Sequence, residues 1–146
     1  MTLRFIGSLY KLMYGINACC LPSSLQVLEF ADSILSNGFN CSQLEIDDRW
    51  ETFYGDLRFD LVKFPDPRAM VEELRTRGIR TTLWVHPFIN INSPALLEAV
   101  SGRIYVGDPA TARVQQQPAF TRWWQGSHSI TIDFTDPSGS AWFKDK

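Results

Sequence analysis

The sequence predicts an α/β fold organised around a parallel βαβ unit. Three observations carry that reading. The run over residues 44–90, LEIDDRWETFYGDLRFDLVKFPDPRAMVEELRTRGIRTTLWVHPFIN, reads strand, acidic loop, helix, strand. Its helix is punctuated at both ends, so the two strands run the same way with a crossover between them. Polar and aromatic residues gather where the strands end: Asp47, Asp48, Arg49 and Trp50 after the first, Trp84, His86 and Pro87 at the second. Carboxyl ends of strands are where α/β barrels and open α/β sheets build their sites.

The elements follow in order. A first helix is expected over 25–36, capped by Ser23 or Ser24 and stopped by Asn37-Gly38. Leu28, Ala31, Ile34 and Leu35 recur at helical spacing and define its apolar face. The first strand spans 43–47. The second helix spans 67–77: Asp66 is its cap, Pro67 takes the first helical position, and Gly78 follows its end. Met70, Val71 and Leu74 form its buried stripe. The second strand spans 79–85. Residues 89–117 show no sustained period and read as a long excursion or small inserted subdomain, extending to about 128. Residues 129–134, SITIDF, alternate like a short strand. Thr135 or Asp136 before Pro137 then opens a third helix.

Side chains alternate along a strand. Leu44 and Ile46 share one face of the first strand, Glu45 and Asp47 the other. In the second strand Leu83 and Val85 share a face, and Thr82 and Trp84 share the opposite one. If the aliphatic faces meet the helices, two strands aim Asp47 and Trp84 at one place. Glu45, on that face, is then a paired buried charge or a support for Asp47.

Composition narrows the function classes. With 146 residues and a net charge of −2, the chain carries no electrostatic footprint for nucleic acid or an anionic membrane. Cys19, Cys20 and Cys41 lack metal-ligand spacing, and an odd count argues against a disulfide framework. Arg4 and Lys11 interrupt the apolar amino terminus, which makes it a poor signal peptide and no membrane span. No Gly-rich phosphate loop and no G-x-S-x-G elbow is present. Nothing in the pattern asks for a metal or other cofactor. The carboxyl-terminal WFKDK falls within the second turn of the third helix, so the domain is expected to continue.

At the 44–90 run, and again in RWWQGSHSITIDFTDPSGSAWF, the chain resembles glycoside hydrolase family 31. The likeness covers about 26–143 and is poor over 93–117. It implies an incomplete (β/α)8 TIM barrel: roughly strands two and three with helices one to three, and an insertion after strand three. The barrel would occupy 23–146 behind a divergent amino-terminal segment, 1–22, in which 9–16 holds the remnant of a first strand. It further implies hydrolysis of α-linked glycosides with retention, by two carboxyl groups about 5–5.5 Å apart. In the family both reacting carboxylates come from later strands, so no catalytic residue is expected in this chain, which alone would be inactive. Asp47, Asp48 and Trp84 would form one wall of the sugar pocket. The implied partner is a carbohydrate with an α-linked terminal sugar, an α-galactoside before an α-glucoside. A non-catalytic carbohydrate-binding or regulatory protein is the competing reading. Relatives belong to the secretory pathway, but the chain itself gives no compartment.

Other residues weigh toward structure. A lone His86 before a proline is expected to cap or pack. Trp123-Trp124 is a sugar platform or, in preference, a packing element. Asp133 would order a loop, as would Asp56 and Asp60.

Overall fold

The computed structural model describes residues 23–111, 117–124 and 126–146. The divergent segment 1–22, with Cys19, Cys20 and the expected strand remnant, lies outside the described residues. The described residues divide into two compact units, one within 23–50 and 59–84 and the other within 51–58 and 85–146.

The first unit contains the βαβ arrangement. Helix α1 spans Ser24–Ser36, strand β1 Gln43–Ile46, helix α2 Pro67–Thr76 and strand β2 Arg80–Leu83. Each helix begins where local chemistry supplies a cap. The Ser23 side chain accepts from Gln26 N, and the Asp66 carboxylate accepts from Ala69 N with Pro67 behind it. These bonds satisfy amide donors that the first turn leaves unpaired. Gly38 and Gly78 follow the helix ends at φ +80° and +76°, where glycine avoids the Cβ penalty. Strands β1 and β2 pair in parallel, Gln43 against Arg80 through Ile46 against Leu83. This sheet has two strands, and the described residues close no barrel. Arg77 joins the helices: Nε donates to Asp32 Oδ1 of α1 at 2.7 Å, and Nη1 to Glu73 Oε1 at 2.7 Å. That guanidinium contact holds the Asp32 carboxyl below the usual carboxylate range.

The helix faces depart from expectation by one position. Val27, Ala31 and Ile34 are the buried residues of α1, whereas Leu35 is exposed. In α2, Met70 and Leu74 are buried and Val71 is exposed. Each outlier lies one residue, about 100°, beyond a buried neighbour and so falls at the edge of the stripe. Strand β2 is shorter than the expected 79–85. Val85 is exposed and Leu83 only half-buried, while Leu44 and Ile46 are buried. The ladder ends with Trp84 N donating to Ile46 O at 2.9 Å, so Val85 has no strand pairing to hold it inward.

Where the sequence left open a long excursion or a small inserted subdomain, the second unit holds regular elements. Strand β3 spans Phe88–Asn90, helix α3 Ala95–Ser101, strand β4 Phe120–Trp123, strand β5 Gly126–Thr131 and helix α4 Pro137–Asp145. The strands form an antiparallel sheet in the order β3-β5-β4. The SITIDF strand therefore starts earlier than 129 and ends at Thr131, paired antiparallel to Phe88–Asn90. Strands β3 and β4, of three and four residues, complete barely two alternations, too few to show a period. Ile89, Ala95, Ala99, Ile104, Tyr105, Ile130 and Ile132 form the core, with Leu96, Trp142 and Phe143 against it. Asp136 caps α4 by accepting from Ser138 N at 2.8 Å. Gly139 is required there, because a Cβ would lie 2.1 Å from Asp133 O.

Candidate functional site

In the first unit the site is built at the carboxyl end of β1 and β2. Register sets Glu45 opposite Thr82 and Ile46 opposite Leu83. Asp47 and Trp84 directly follow the last pair, and the Trp84 N to Ile46 O bond closes the ladder there. A side-chain bond identifies the shared face: Gln43 Nε2 donates to Thr82 Oγ1 at 2.8 Å. By alternation Gln43, Glu45 and Asp47 stand on the face of Thr82 and Trp84. Asp47, Trp84 and Glu45 are each half-buried.

The Asp47 carboxylate has a local duty as well. Its Oδ1 accepts the backbone N–H of Asp48 at 2.7 Å, a contact that shapes the turn leaving β1. The Asp48 carboxylate lies 3.9 Å from Arg49 Nε. Arg49 itself has φ +65°, turning the chain sharply after the acidic pair.

Trp50 fixes this end of the sheet, a role the sequence reading missed. Its ring is buried, and Nε1 donates to Trp84 O at 2.7 Å. One side chain thus ties the chain after β1 to the chain after β2. Its ring packs against Phe59 at 5.0 Å. Asp60 N donates to Trp50 O at 2.9 Å, and Lys63 Nζ donates to Arg49 O. Asp60, expected to fix a loop, accepts from Val62 N at 3.0 Å and lies 3.3 Å from Lys63 Nζ. Partial burial pushes its carboxyl up, but the Val62 and Lys63 contacts outweigh that and hold it below the usual range.

In the second unit, His86 is structural, as expected, and Glu51 is its unanticipated partner. The imidazole Nδ1 accepts from Phe88 N at 3.3 Å, which places the proton of the neutral ring on Nε2. That nitrogen faces Glu51 Oε1 at 3.2 Å. The other carboxylate oxygen accepts from Gly55 N and Leu57 N, both at 2.9 Å. Both side chains are 2% exposed. A buried carboxylate is costly unless its oxygens are satisfied, and here the loop it organises satisfies them. Trp123 packs beside this pair, 4.6 Å from His86, 4.8 Å from Phe88 and 5.1 Å from Tyr54. Its Nε1 donates to Asn90 Oδ1 at 2.8 Å. Trp123 is thus a packing residue, and Trp124, 5.2 Å away, is 70% exposed. Asp133 orders its loop through Thr135, accepting from N at 2.9 Å and Oγ1 at 2.6 Å. Asp56 is buried, 3.9 Å from Arg58.

Among the described residues no group of histidine, cysteine and acidic side chains has the arrangement of a metal site. Nor is any described helix long and apolar enough to cross a membrane.

Comparison with known proteins assigns the family. Residues 9–146 match the model of the glycosyl hydrolases family 31 TIM-barrel domain. A myogenesis-regulating glycosidase from Mus musculus is 45% identical over 119 residues, covering 82% of this chain and 16% of the relative. An alpha-xylosidase, XylQ, from Lactiplantibacillus pentosus is 27% identical over 124 residues, covering 82% of this chain and 15% of the relative. The solved structure of a family 31 dextranase from Flavobacterium johnsoniae, complexed with glucose, superposes with a TM-score of 0.75 at 22% identity. That likeness covers 84% of this chain and 15% of the dextranase. The chain spans about a sixth of the length of these relatives. It belongs to glycoside hydrolase family 31, as part of the family's TIM-barrel domain.

Proposed function

We propose that this family 31 chain supplies one wall of the sugar pocket of a retaining glycosidase acting on α-linked terminal sugars. The observation that carries the reading is that Asp47 and Trp84 directly follow the last register pair, Ile46 and Leu83, where the two parallel strands end. An aspartate there accepts hydrogen bonds from sugar hydroxyls, and a tryptophan offers an apolar surface to the ring. Asp48, next along the turn, completes the polar rim. Relatives named as glycosidase and xylosidase, and a dextranase that holds glucose, support a carbohydrate as the ligand. The favoured substrate is an α-galactoside, then an α-glucoside. The reacting carboxylates come from elements outside these 146 residues, so the chain on its own hydrolyses nothing. In barrel terms β1 and β2 are the second and third strands, and the antiparallel unit is the insertion that follows.

Asp47 is the residue to test, because its carboxylate also serves the turn. In the full-length protein, Asp47→Asn keeps an oxygen for Asp48 N but loses the charge, and Asp47→Ala loses both. Charge-assisted bonds are worth about 1.5–3 kcal/mol each, so kcat/KM on an aryl α-galactoside or α-glucoside falls about ten- to a hundredfold in both variants. The melting temperature should move little. Trp84→Ala costs stability as well, though less than the ~3–5 kcal/mol of a fully buried ring, because Trp84 is half-buried. Near-normal kcat/KM in Asp47→Ala would make Asp47 a turn residue only. Sugar binding without turnover in the full-length protein would favour the non-catalytic reading.

A further inference from the structure

We infer that Asn40 is an acceptor for N-linked glycosylation. Asn40-Cys41-Ser42 is the one Asn-x-Ser/Thr tripeptide in the sequence with x other than proline. Asn92-Ser93 is followed by Pro94, and Asn17, Asn37 and Asn90 have no hydroxyl residue two places on. The tripeptide pattern alone is a weak signal, and the fold adds three observations.

The tripeptide lies in the connection between α1 and β1, outside any helix or strand. Its side chains alternate in burial: Asn40 and Ser42 are exposed, while Cys41 between them is buried with Sγ 3.2 Å from Gln43 O. The buried thiol holds the backbone so that amide and hydroxyl both face solvent, and it is a free cysteine. Phe39, immediately before, is 64% exposed. The first sugar of a glycan on Asn40 then has an aromatic surface to lie against.

Position makes the modification compatible with the proposed site. Asn40 precedes β1 and Asp47 follows it, with Gln43–Ile46 between them. At ~3.3 Å per residue the strand alone separates the two ends by about 13 Å. A glycan therefore projects from the end opposite Asp47 and Trp84.

The co-reactant is a lipid-linked oligosaccharide diphosphate. The Asn40 amide nitrogen attacks the anomeric carbon of the first sugar. The carbon–nitrogen bond forms as the bond to the diphosphate oxygen breaks, the lipid diphosphate leaves with the electron pair, and one amide proton passes to the transferase's base. No oxidant or reductant is involved.

The test is peptide mapping of the full-length protein produced by secretory expression in cultured mammalian cells. Peptide N-glycosidase F in 18O-water is expected to convert Asn40 to 18O-labelled Asp, with loss of a discrete glycan mass. Asn40→Gln and, independently, Ser42→Ala should each remove that label and mass; the second variant retains Asn40, so it guards against misfolding caused by the first. Recovery of Asn40 unmodified overturns the inference, as does a label that persists in the Ser42→Ala protein. These readouts require no turnover, so they stand apart from the outcome of the Asp47 experiment.

Discussion

Removing the Glu51 carboxylate should damage the second unit more than any surface substitution. Glu51→Ala takes acceptors from three donors at once: Gly55 N, Leu57 N and His86 Nε2. A buried donor left unpaired costs about 1–3 kcal/mol, so three bound the loss near 3–6 kcal/mol after allowing for relaxation and water entry. The loop held this way includes Leu57 at φ +56°, a conformation that itself costs about 1–2 kcal/mol in a non-glycine residue. Glu51→Gln is the sharper perturbation, because it preserves volume. Its oxygen can still serve the two backbone amides, but its NH2 then meets His86 Nε2. The ring cannot accept there and at Nδ1 from Phe88 N simultaneously, since one nitrogen of the neutral imidazole carries the proton. One buried donor goes unpaired, at about 1–3 kcal/mol. The assay is urea unfolding of the intact protein, with hydrogen exchange at the Gly55 and Leu57 amides. The reasoning fails if Glu51→Ala unfolds within about 0.5 kcal/mol of wild type, the range of an ordinary surface change, or if exchange at those amides is unchanged. A double-mutant cycle with His86→Ala should show coupling of 0.5 kcal/mol or more, as expected for residues in one network.

Gly55→Ala should destabilise by about 2–4 kcal/mol in thermal unfolding, because a Cβ would lie 2.5 Å from Phe88 O and 2.7 Å from Ile89 Cα at φ +89°. Trp50→Phe keeps much of the aromatic packing on Phe59 but deletes the bond to Trp84 O. It should cost about 1 kcal/mol of stability and lower kcat/KM by a larger factor than Tyr or Phe changes elsewhere in the first unit, measured in the full-length protein. The carboxyls of Asp60, Asp133 and Asp136 are all held below the ordinary range, Asp60 by Val62 and Lys63 against partial desolvation, Asp133 by Thr135 and Asp136 by Ser138. Lowered folded-state values stabilise above the unfolded carboxylate pKa of about 3.9 and lose that contribution as pH falls through the folded values. The melting temperature should therefore be flat near neutrality and drop below about pH 4, with Asp60→Asn flattening part of that drop.

What the sequence made legible was chemistry written within four residues. Ser23, Asp66-Pro67 and Asp136-Pro137 announce helix starts because a cap and its amide are near neighbours in the chain. The parallel pairing was legible because a punctuated helix separates two short strands. What stayed hidden depends on distant partners. Glu51 reaches His86 across 35 residues, and Trp50 reaches Trp84 across 34, with no periodic pattern to advertise either. The small antiparallel sheet was only half legible: the β5 segment alternates visibly, but its partners β3 and β4, of three and four residues, are too short to show a period. Asp47 and Trp84 were read from alternation alone; the paired register ends one residue before each, and their contact with a sugar rests on the experiment above.

The arrangement around Asp47 also explains why a buried tryptophan should follow an acidic strand end. A carboxylate that recognises hydroxyl groups is useful only if its direction is fixed before the sugar arrives. Strand pairing fixes direction along β1 only as far as Ile46, where the paired residues stop. Beyond that point the chain turns through Arg49 at positive φ, and left unsupported it would carry Asp47 with it. Trp50 supplies the missing constraint from the far side of the turn, bonding to the carbonyl of Trp84, the residue that follows the last pair on β2. Asp60 N and Lys63 Nζ then hold the carbonyls of Trp50 and Arg49. The turn is thus anchored on both flanks, by the ladder before it and by the indole and the 60–63 segment after it. The backbone on either side of Asp47 and Trp84 is therefore fixed by contacts that a sugar-facing role would leave in place.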